Sequence, residues 1–328
     1  MRTVRMKRIS LWSVAAILAG LFLLPVSQAV GSDWPRRAVE IIAPFRAGGD
    51  TDFYARTYAK YLTKELNGTF TVVNVEGGGG VVGCQQVLSA KPDGYKVLFM
   101  NTGAMFANKL ADITDIDHNS YDVSNIGILD NTNVLVTGKQ SGFTNGKDFL
   151  AKVKAAPGKY GVAATVPGFS YFTVCKMQAV GNFTLNPVDY GGAAPMVAAI
   201  VGNQIPLAVN SYGVFKQYID KGDIIPLMVN STSRNPSFPD VPTVAECGLA
   251  GAEAARAYFF AFPKGTDPAI IKRLSDAVGA IQNNPDFVAE IKKAYCVEPF
   301  YRDTAGSKPY LDGIWNDMAK YKDALKKK

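Results

Sequence analysis

The sequence contains one histidine, His118, among its 328 residues. Its four cysteines, Cys84, Cys175, Cys247 and Cys296, include no CxxC pair. Zinc and most transition-metal sites use clusters of these two residue types, so we predict neither a metal site nor a cofactor. Four cysteines permit three complete disulfide pairings, and free buried thiols are an equally good interpretation.

Signatures of common enzyme and nucleotide-binding sites are also missing. Glycines 77–80 are not followed by Lys-Ser or Lys-Thr, so they do not form a Walker loop. There is no GxSxG nucleophile elbow, and His118 lies in an acidic, polar loop that makes it a poor general base. No basic stripe is interleaved with aromatic residues. We therefore expect neither an enzyme nor a nucleic-acid-binding protein.

Long apolar runs are absent after residue 26. Before it, a basic start at residues 2–8 precedes an apolar stretch at residues 11–26 and then small residues, which is typical of a secretory signal peptide. We expect cleavage after Ala29, with Gly31 as the alternative and an uncleaved anchor as the less favoured interpretation. Removing 29 of the 328 residues leaves 299 and lowers the formal net charge from +7 to +3. A periplasmic protein of two ordinary domains is expected.

Strand and helix patterns alternate along the rest of the chain, which predicts an α/β fold with parallel, doubly wound sheets. We predict strands at 39–44, 71–75, 96–100, 133–137, 160–164, 187–190, 207–210, 225–229 and 258–262, and helices at 52–66, 81–90, 147–156, 170–180, 193–201, 268–283, 285–295 and 307–325. A polar, proline-rich stretch at 231–242 interrupts this alternation. Two such units in one exported chain indicate two lobes with a cleft between them.

Three loops that contain glycine stand between a strand and a helix, at residues 44–52, 77–80 and 167–170. Glycine lets backbone N–H groups approach a ligand, and a helix start leaves N–H donors unpaired at the positive end of the helix dipole. One such loop is equally well explained as a tight turn, but three favour an anion site in a shared cleft. Asp50, Thr51 or Asp52 can cap the first helix, which explains the two carboxylates better than catalysis does.

Five motifs are spread over the mature chain. They are PFRAGGDTD at 44–52, Asn74 with GGGG at 77–80 and PDGY at 92–95, YGGAAP at 190–195, SRNPSFPDVPTVAE at 233–246, and FPKGT at 262–266. In this order they resemble the substrate-binding proteins of tripartite tricarboxylate transporters, the Bug receptor family. The resemblance covers essentially the whole mature chain.

The resemblance implies a two-lobed periplasmic binding protein of the type II-like, Venus-flytrap kind, with the ligand cleft between the lobes. We assign lobe 1 to residues 30–131 plus 256–328 and lobe 2 to residues 132–255, after a signal peptide at 1–29. The implied function is that of a monomeric solute-binding receptor that delivers a small carboxylate to the membrane subunits of a secondary transporter. A ligand-sensing accessory protein of a membrane sensor kinase is the alternative, which neighbouring genes would distinguish.

The resemblance also implies the ligand-binding residues, because the family holds the ligand carboxylate largely with backbone N–H groups and ordered waters at the first loop. The carried-over residues are Phe45, Ala47, Gly48, Gly49, Asp50, Thr51 and Asp52 in the first loop, Asn74, Thr102 and Gly103 in the rest of lobe 1, and Ser170, Tyr190, Gly192 and Asn210 in lobe 2.

Several residues depart from the family's pattern. In the family, tryptophan is usual at the position of Ala257, and polar or acidic residues are usual at the other positions that differ. Those other positions hold Val81, Met105, Phe106, Phe172, Pro206, Asn210 and Arg256. We therefore expect a more apolar, less acidic cleft and a ligand with an apolar or aromatic body. We expect both Arg46 and Arg256 to point to solvent, as arginines usually do. The alternative is that one of them adds a bidentate contact to the ligand, for which Arg256 is the candidate binding residue.

Overall fold

The computed structural model describes residues 33–326, so the predicted signal peptide lies outside the described residues. Within them, ten strands form two five-stranded sheets. The strands are β1 (Val39–Ala43), β2 (Phe70–Asn74), β3 (Lys96–Asn101), β4 (Asp122–Asp130), β5 (Asn133–Gly138), β6 (Gly161–Ala164), β7 (Asn186–Asp189), β8 (Leu207–Ser211), β9 (Ile224–Val229) and β10 (Arg256–Phe262). The first sheet has the order β2-β1-β3-β10-β4 and the second has the order β7-β6-β8-β5-β9.

Helices lie between most of these strands and follow the last one. They are α1 (Asp50–Glu65), α2 (Val81–Leu88), α3 (Thr102–Leu110), α4 (Gly146–Ala155), α5 (Phe169–Gly181), α6 (Ala193–Val201), α7 (Tyr212–Asp220), α8 (Pro268–Ile281), α9 (Pro285–Tyr295), α10 (Thr304–Ala319) and α11 (Lys322–Lys326). The structure has three elements, α3, β4 and α7, that we did not predict. Both α3 and α7 begin directly where a strand ends, so no loop residues mark their starts.

Neither sheet is wholly parallel, which corrects the expected doubly wound arrangement. The strands β2, β1 and β3 are parallel, but β10 runs antiparallel to both β3 and β4. In the second sheet β5 runs antiparallel to both β8 and β9. The reason is topological, because β10 enters the first sheet only after the chain has built all five strands of the second sheet.

Aromatic side chains fix α1 on the first sheet and so position the loop that precedes it. The Tyr54 and Tyr258 ring centroids lie 4.9 Å apart, and those of Tyr58 and Phe260 lie 5.3 Å apart. The Tyr58 hydroxyl donates a 2.6 Å hydrogen bond to the Gly127 carbonyl of β4. Large buried aromatic pairs of this kind contribute strongly to packing, and here they anchor the start of α1 beyond the carboxyl end of β1.

All four cysteines are buried free thiols, which supports that interpretation over any disulfide pairing. Burial raises the pKa of the Cys84 thiol to about 12 and that of the Cys175 thiol to about 11. Both groups are therefore neutral and unreactive at neutral pH.

Candidate ligand-binding site

The loop between β1 and α1 binds two carboxylates of its own chain. Asp52 accepts a 2.9 Å hydrogen bond from the Gly48 N–H, and Asp50 accepts a 2.6 Å bond from the Thr51 N–H. Among the described residues, the N–H groups of Gly49, Asp50 and Asp52 have no hydrogen-bond partner. Because they lie at the positive end of the α1 dipole, these three donors are suited to an anion.

The N-cap of α1 is Gly49, and no side chain caps this helix. Our expectation that Asp50, Thr51 or Asp52 is the N-cap was wrong, because the helix begins at Asp50 and includes all three. Asp52 instead reaches back to the Gly48 N–H, which resembles the second half of a capping box.

Asn74 supports this loop from the end of β2. Its Nδ2 donates to the Phe45 carbonyl at 3.0 Å and to Asp52 at 2.9 Å, and its Oδ1 accepts from Arg56 at 2.8 Å. Burial opposes ionisation of Asp52, but hydrogen bonds from Arg56, Gly48 and Asn74 hold its pKa below the usual range. Asn74 was predicted to contact the ligand, and both ends of its amide already bind neighbouring groups.

The glycine-rich loop before α2 packs against the first loop. All four glycines at 77–80 have positive φ angles, and that of Gly80 is 101°. A Cβ atom at Gly80 would lie 3.1 Å from the Phe45 ring and 3.3 Å from Met100. These positions need glycine both for their backbone conformation and, at Gly80, for this close contact.

Arg256 joins the first loop to the second sheet. Its Nη2 lies 2.5 Å from Asp50, 2.9 Å from Asp130 and 2.6 Å from the Ser211 hydroxyl, and its Nε lies 3.1 Å from the same Asp130 oxygen. Asp130 ends β4, and Ser211 ends β8 of the second sheet. The guanidinium also lies over the Phe169 ring, with its central carbon 5.5 Å from the centroid. The ends of strands from both sheets therefore meet around one side chain.

The Arg256 cluster is buried and charged. Burial opposes the charge of Arg256, but Asp50, Asp130 and their hydrogen bonds raise its pKa well above the ordinary value. Burial also opposes the charge of Asp130, but Arg256, Ser211 and Thr132 hold its pKa below the usual range. Two carboxylates thus face one guanidinium.

The two arginines singled out from the sequence differ in exposure. The Arg46 side chain is 86% exposed and forms a surface ion pair with Glu76 at 2.6 Å. Arg256 is only 8% exposed. The expectation that both arginines point to solvent therefore holds for Arg46 and is wrong for Arg256.

Three predicted site residues lie in the contact between α3 and α5. Thr102 is fully buried, and its hydroxyl accepts a 3.0 Å hydrogen bond from the Ala257 N–H. A Cβ atom at Gly103 would lie 2.4 Å from the Phe169 side chain, so the two helix starts touch directly. Ser170 accepts a 2.9 Å bond from the Thr165 N–H. These contacts between α3 and α5 were not predicted, because no local pattern shows which helix starts meet.

The remaining predicted residues lie on the second sheet's side. Gly192 is the N-cap of α6, and Tyr190 is half-buried. Asn210 accepts a 2.9 Å hydrogen bond from the Ser211 N–H. Within residues 33–326, no hydrogen bond joins these three residues to the loop before α1, and their contact with ligand stays a prediction.

Four departures from the family's pattern lie in the core rather than in the cleft. Met105, Phe106, Phe172 and Ala257 are at most 2% exposed. The Phe106 ring contacts Trp315 edge to face, and the Phe172 ring contacts Tyr321 in the same way. All four are therefore core residues in the described structure.

A cavity of about 510 Å³ lies elsewhere, between α10 and the chain segments around residues 230–232 and 253–255. Its lining includes none of the predicted site residues. We place the candidate site at the loops and not at this cavity, because free backbone donors and the buried charges meet at the loops.

Sequence reasoning missed Asp130 and Ser211. The apolar run AYFFAF at 257–262 could have indicated that Arg256 is buried, and a buried arginine needs a carboxylate partner. Nothing in the sequence identifies that partner among 28 acidic residues.

Solved structures define the class of protein. The chain matches the periplasmic binding protein BugD with a TM-score of 0.71 and 25% identity, covering 89% of this chain and 98% of BugD. It matches MatC from Rhodopseudomonas palustris with bound malate at a TM-score of 0.73 and 21% identity, over 89% of this chain and 100% of MatC. Another R. palustris protein, solved with adipate, matches at a TM-score of 0.78 and 23% identity, over 88% of this chain and 98% of that protein. The predicted two-lobed periplasmic binding protein fold is confirmed.

Sequence comparison then defines the family. Residues 54–326 match the tripartite tricarboxylate transporter family receptor. The chain is 30% identical over 264 residues to BugT of Bordetella pertussis, which covers 78% of this chain and 80% of BugT. It is 27% identical over 296 residues to a UPF0065 protein of Cupriavidus necator, which covers 89% of this chain and 88% of that protein. The chain belongs to this family of solute-binding receptors, as predicted. In the part of the chain that the structure describes, no helix has the length and apolar character needed to cross a membrane.

Proposed function

We propose that this protein is a periplasmic receptor that captures a small carboxylate and delivers it to the membrane subunits of a secondary transporter. The observation that carries the proposal is the set of unpaired N–H groups of Gly49, Asp50 and Asp52 at the start of α1. Charge-assisted bonds from such donors to a carboxylate are among the stronger hydrogen bonds in proteins. Export with a cleaved signal peptide completes the proposal.

The relatives support a carboxylate as the ligand class. The malate of MatC and the adipate of the other R. palustris protein are both small carboxylates. An apolar or aromatic ligand body would contact exposed Ala47 and the half-buried side chains of Phe45 and Val81 beside the free donors. These three residues are more exposed than the buried departures.

We further propose that residues 30–131 with 256–328 form one lobe and residues 132–255 the other, as predicted. Ligand bound at the loop before α1 would draw Ser170, Tyr190, Gly192 and Asn210 towards it, and the closed form would dock on the transporter. The receptor would act as a monomer without enzymatic activity.

The ligand class can be tested by a thermal-shift screen of the mature protein against di- and tricarboxylates, amino acids and aromatic acids. A ligand that binds only the folded state stabilises it by about 2.7 kcal/mol at a concentration of one hundred times Kd. We expect at least one carboxylate to raise Tm, and we expect uncharged analogues of that carboxylate not to raise it. If no carboxylate raised Tm, the proposal would fail.

A matched pair of variants tests the loop itself. Gly49 has φ −86° and ψ 177°, which proline can adopt, and a Cβ atom there has only the Arg46 carbonyl within 4 Å, at 3.8 Å. Gly49→Pro removes the N–H donor, and Gly49→Ala keeps it. We expect about a tenfold loss of carboxylate affinity in calorimetry for Gly49→Pro, which corresponds to about 1.4 kcal/mol, and no loss for Gly49→Ala. Equal affinities would contradict the proposed role of the N–H.

A further inference from the structure

We infer that Arg256 is a specificity-determining residue. Its guanidinium offers the ligand one hydrogen-bond donor, while Asp50 and Asp130 already compensate its positive charge. The site would therefore prefer a monocarboxylate that carries a neutral acceptor, such as a hydroxyl or carbonyl oxygen, over a dicarboxylate. This inference rests on the proposed function, because it concerns the part of the ligand beyond its first carboxylate.

One nitrogen of the guanidinium remains available. Nε and Nη2 are engaged by Asp130, Asp50 and Ser211. Among residues 33–326, Nη1 has no hydrogen-bond partner. It is also not one of the described side-chain atoms that lack both a partner and contact with solvent. Nη1 is thus an unpaired donor that solvent can reach, on a side chain that is otherwise buried and held in place.

Its position connects it to the proposed carboxylate site. Asp50 contributes its carboxylate to Arg256 and its own free N–H to the start of α1. Phe169 begins α5 and Ser211 directly precedes α7, two helices on the second sheet's side. Both residues contact Arg256. A small ligand bound at the first loop and enclosed from the second sheet would therefore extend towards Nη1.

The charge around Nη1 determines which ligand group it can accept. The Asp50 and Asp130 carboxylates lie 2.5 Å and 2.9 Å from the neighbouring Nη2. A second ligand carboxylate would meet repulsion from both, or would have to displace Asp50. A neutral oxygen accepts the Nη1 hydrogen bond without this repulsion, and a ligand with no acceptor would leave the donor unpaired in a closed site.

The test uses matched acids measured by titration calorimetry on the mature protein. Each set has one chain length between three and eight carbons and contains the simple acid, the ω-hydroxy acid and the diacid, for example hexanoate, 6-hydroxyhexanoate and adipate. For wild-type protein we expect the hydroxy acid to bind most tightly in the sets that bind. We expect the diacid to bind at least tenfold more weakly.

The variant Asp50→Asn removes one of the two carboxylates while conserving size. We expect it to improve the affinity of the diacid relative to the hydroxy acid by at least tenfold. Asp276→Asn is the matched control, because it makes the same change at an exposed carboxylate that pairs with Lys272 on α8 and should leave this ratio unchanged. A purely structural role of Asp50 would change all affinities together and not their ratio.

The possible failures are distinguishable. If wild-type protein bound some acids but preferred the diacid, or if Asp50→Asn left the ratio unchanged, this inference alone would be overturned. Wild-type protein that bound no acid of any set would overturn the proposed function together with it. Should Asp50→Asn fail to fold, the preference measured on wild-type protein decides the question.

Discussion

The loops before α1 and α6 both place glycine at a helix start, but they are stabilised very differently. In the first, side chains bind the loop from several directions, with Asp52 on the Gly48 N–H and Asn74 on the Phe45 carbonyl. In the second, the Gly191 N–H is bound by Asp189 at 2.9 Å, and a Cβ atom at Gly191 would meet no atom within 4 Å.

We propose that this difference makes the first loop the preformed side of the candidate site, because a loop held by side-chain hydrogen bonds would lose little conformational entropy on binding a ligand. The second loop would have room to adjust on binding. We expect changes in the first region to affect folding as well as binding, and changes in the second to affect mainly binding.

The strongest disruption should come from Arg256, which joins the first loop to the end of β8 in the second sheet. Arg256→Met would leave the fully buried Asp130 carboxylate without its cation, and we expect a loss of about 3–5 kcal/mol in the free energy of unfolding. Urea denaturation followed by circular dichroism measures this loss. In Arg46→Met, which affects a surface ion pair, the change should stay within about 0.5 kcal/mol. Equal effects of the two changes would refute the assigned role.

A pair of glycine variants compares the two regions directly. Gly80→Ala introduces a strained positive φ and a contact with Phe45, and we expect a loss of about 2–3 kcal/mol in unfolding free energy. In Gly191→Ala the positive φ of 70° is the only source of strain, because the space around the residue is open. We therefore expect a loss of about 1 kcal/mol in unfolding free energy. Thermal denaturation of both variants is the measurement, and a larger loss for Gly191→Ala would reverse our comparison.

Asn74 tests the support of the first loop. Asn74→Ala removes the donor to the Phe45 carbonyl and to Asp52, and we expect a loss of about 1–2 kcal/mol together with weaker ligand binding. Asn186→Ala is the control, because the exposed amide of Asn186 bonds only the Gly158 carbonyl on the second sheet's side. We expect this variant to lose about 0.5 kcal/mol in unfolding free energy. Calorimetric titration and urea denaturation of both proteins would show whether the two amides differ as stated.

The pH dependence should be the smallest effect near neutrality. The pKa values of Asp52 and Asp130 are lower in the folded protein than their usual values. Their contribution to stability is therefore complete above the unfolded-state pKa of about 3.9 and is lost as pH falls through the folded-state values. We expect urea midpoints to stay level from pH 7 to about 5 and to fall below about 4, less steeply in Asp52→Asn. Midpoints that increased on acidification would contradict this sign.

Local signals explain where sequence-based prediction worked. The bounds of α6 and α9 were predicted to the residue, because Gly192 precedes one helix and Asn284-Pro285 opens the other. The strand β4 was missed because Asp122, Ser124 and Asn125 interrupt its apolar residues. Ser124 donates to the Ile271 carbonyl and Asp122 accepts from Lys264, and no local pattern reveals these distant partners.

The sequence by itself determined the α/β class, the positions of the glycine-rich helix starts and membership of the receptor family. The first two depend on hydrophobic periodicity and turn chemistry, which act over a few residues, and family membership depends on the resemblance of five ordered motifs. Only the tertiary structure decided that Phe172 fills the core, that Asn74 supports a loop, and that Arg256 binds Asp130 and Asp50. Those two partners are 126 and 206 residues away along the chain. Their contacts depend on the pairing of β10 with β4 in the first sheet and on the position of α1 against that sheet, which no local pattern encodes.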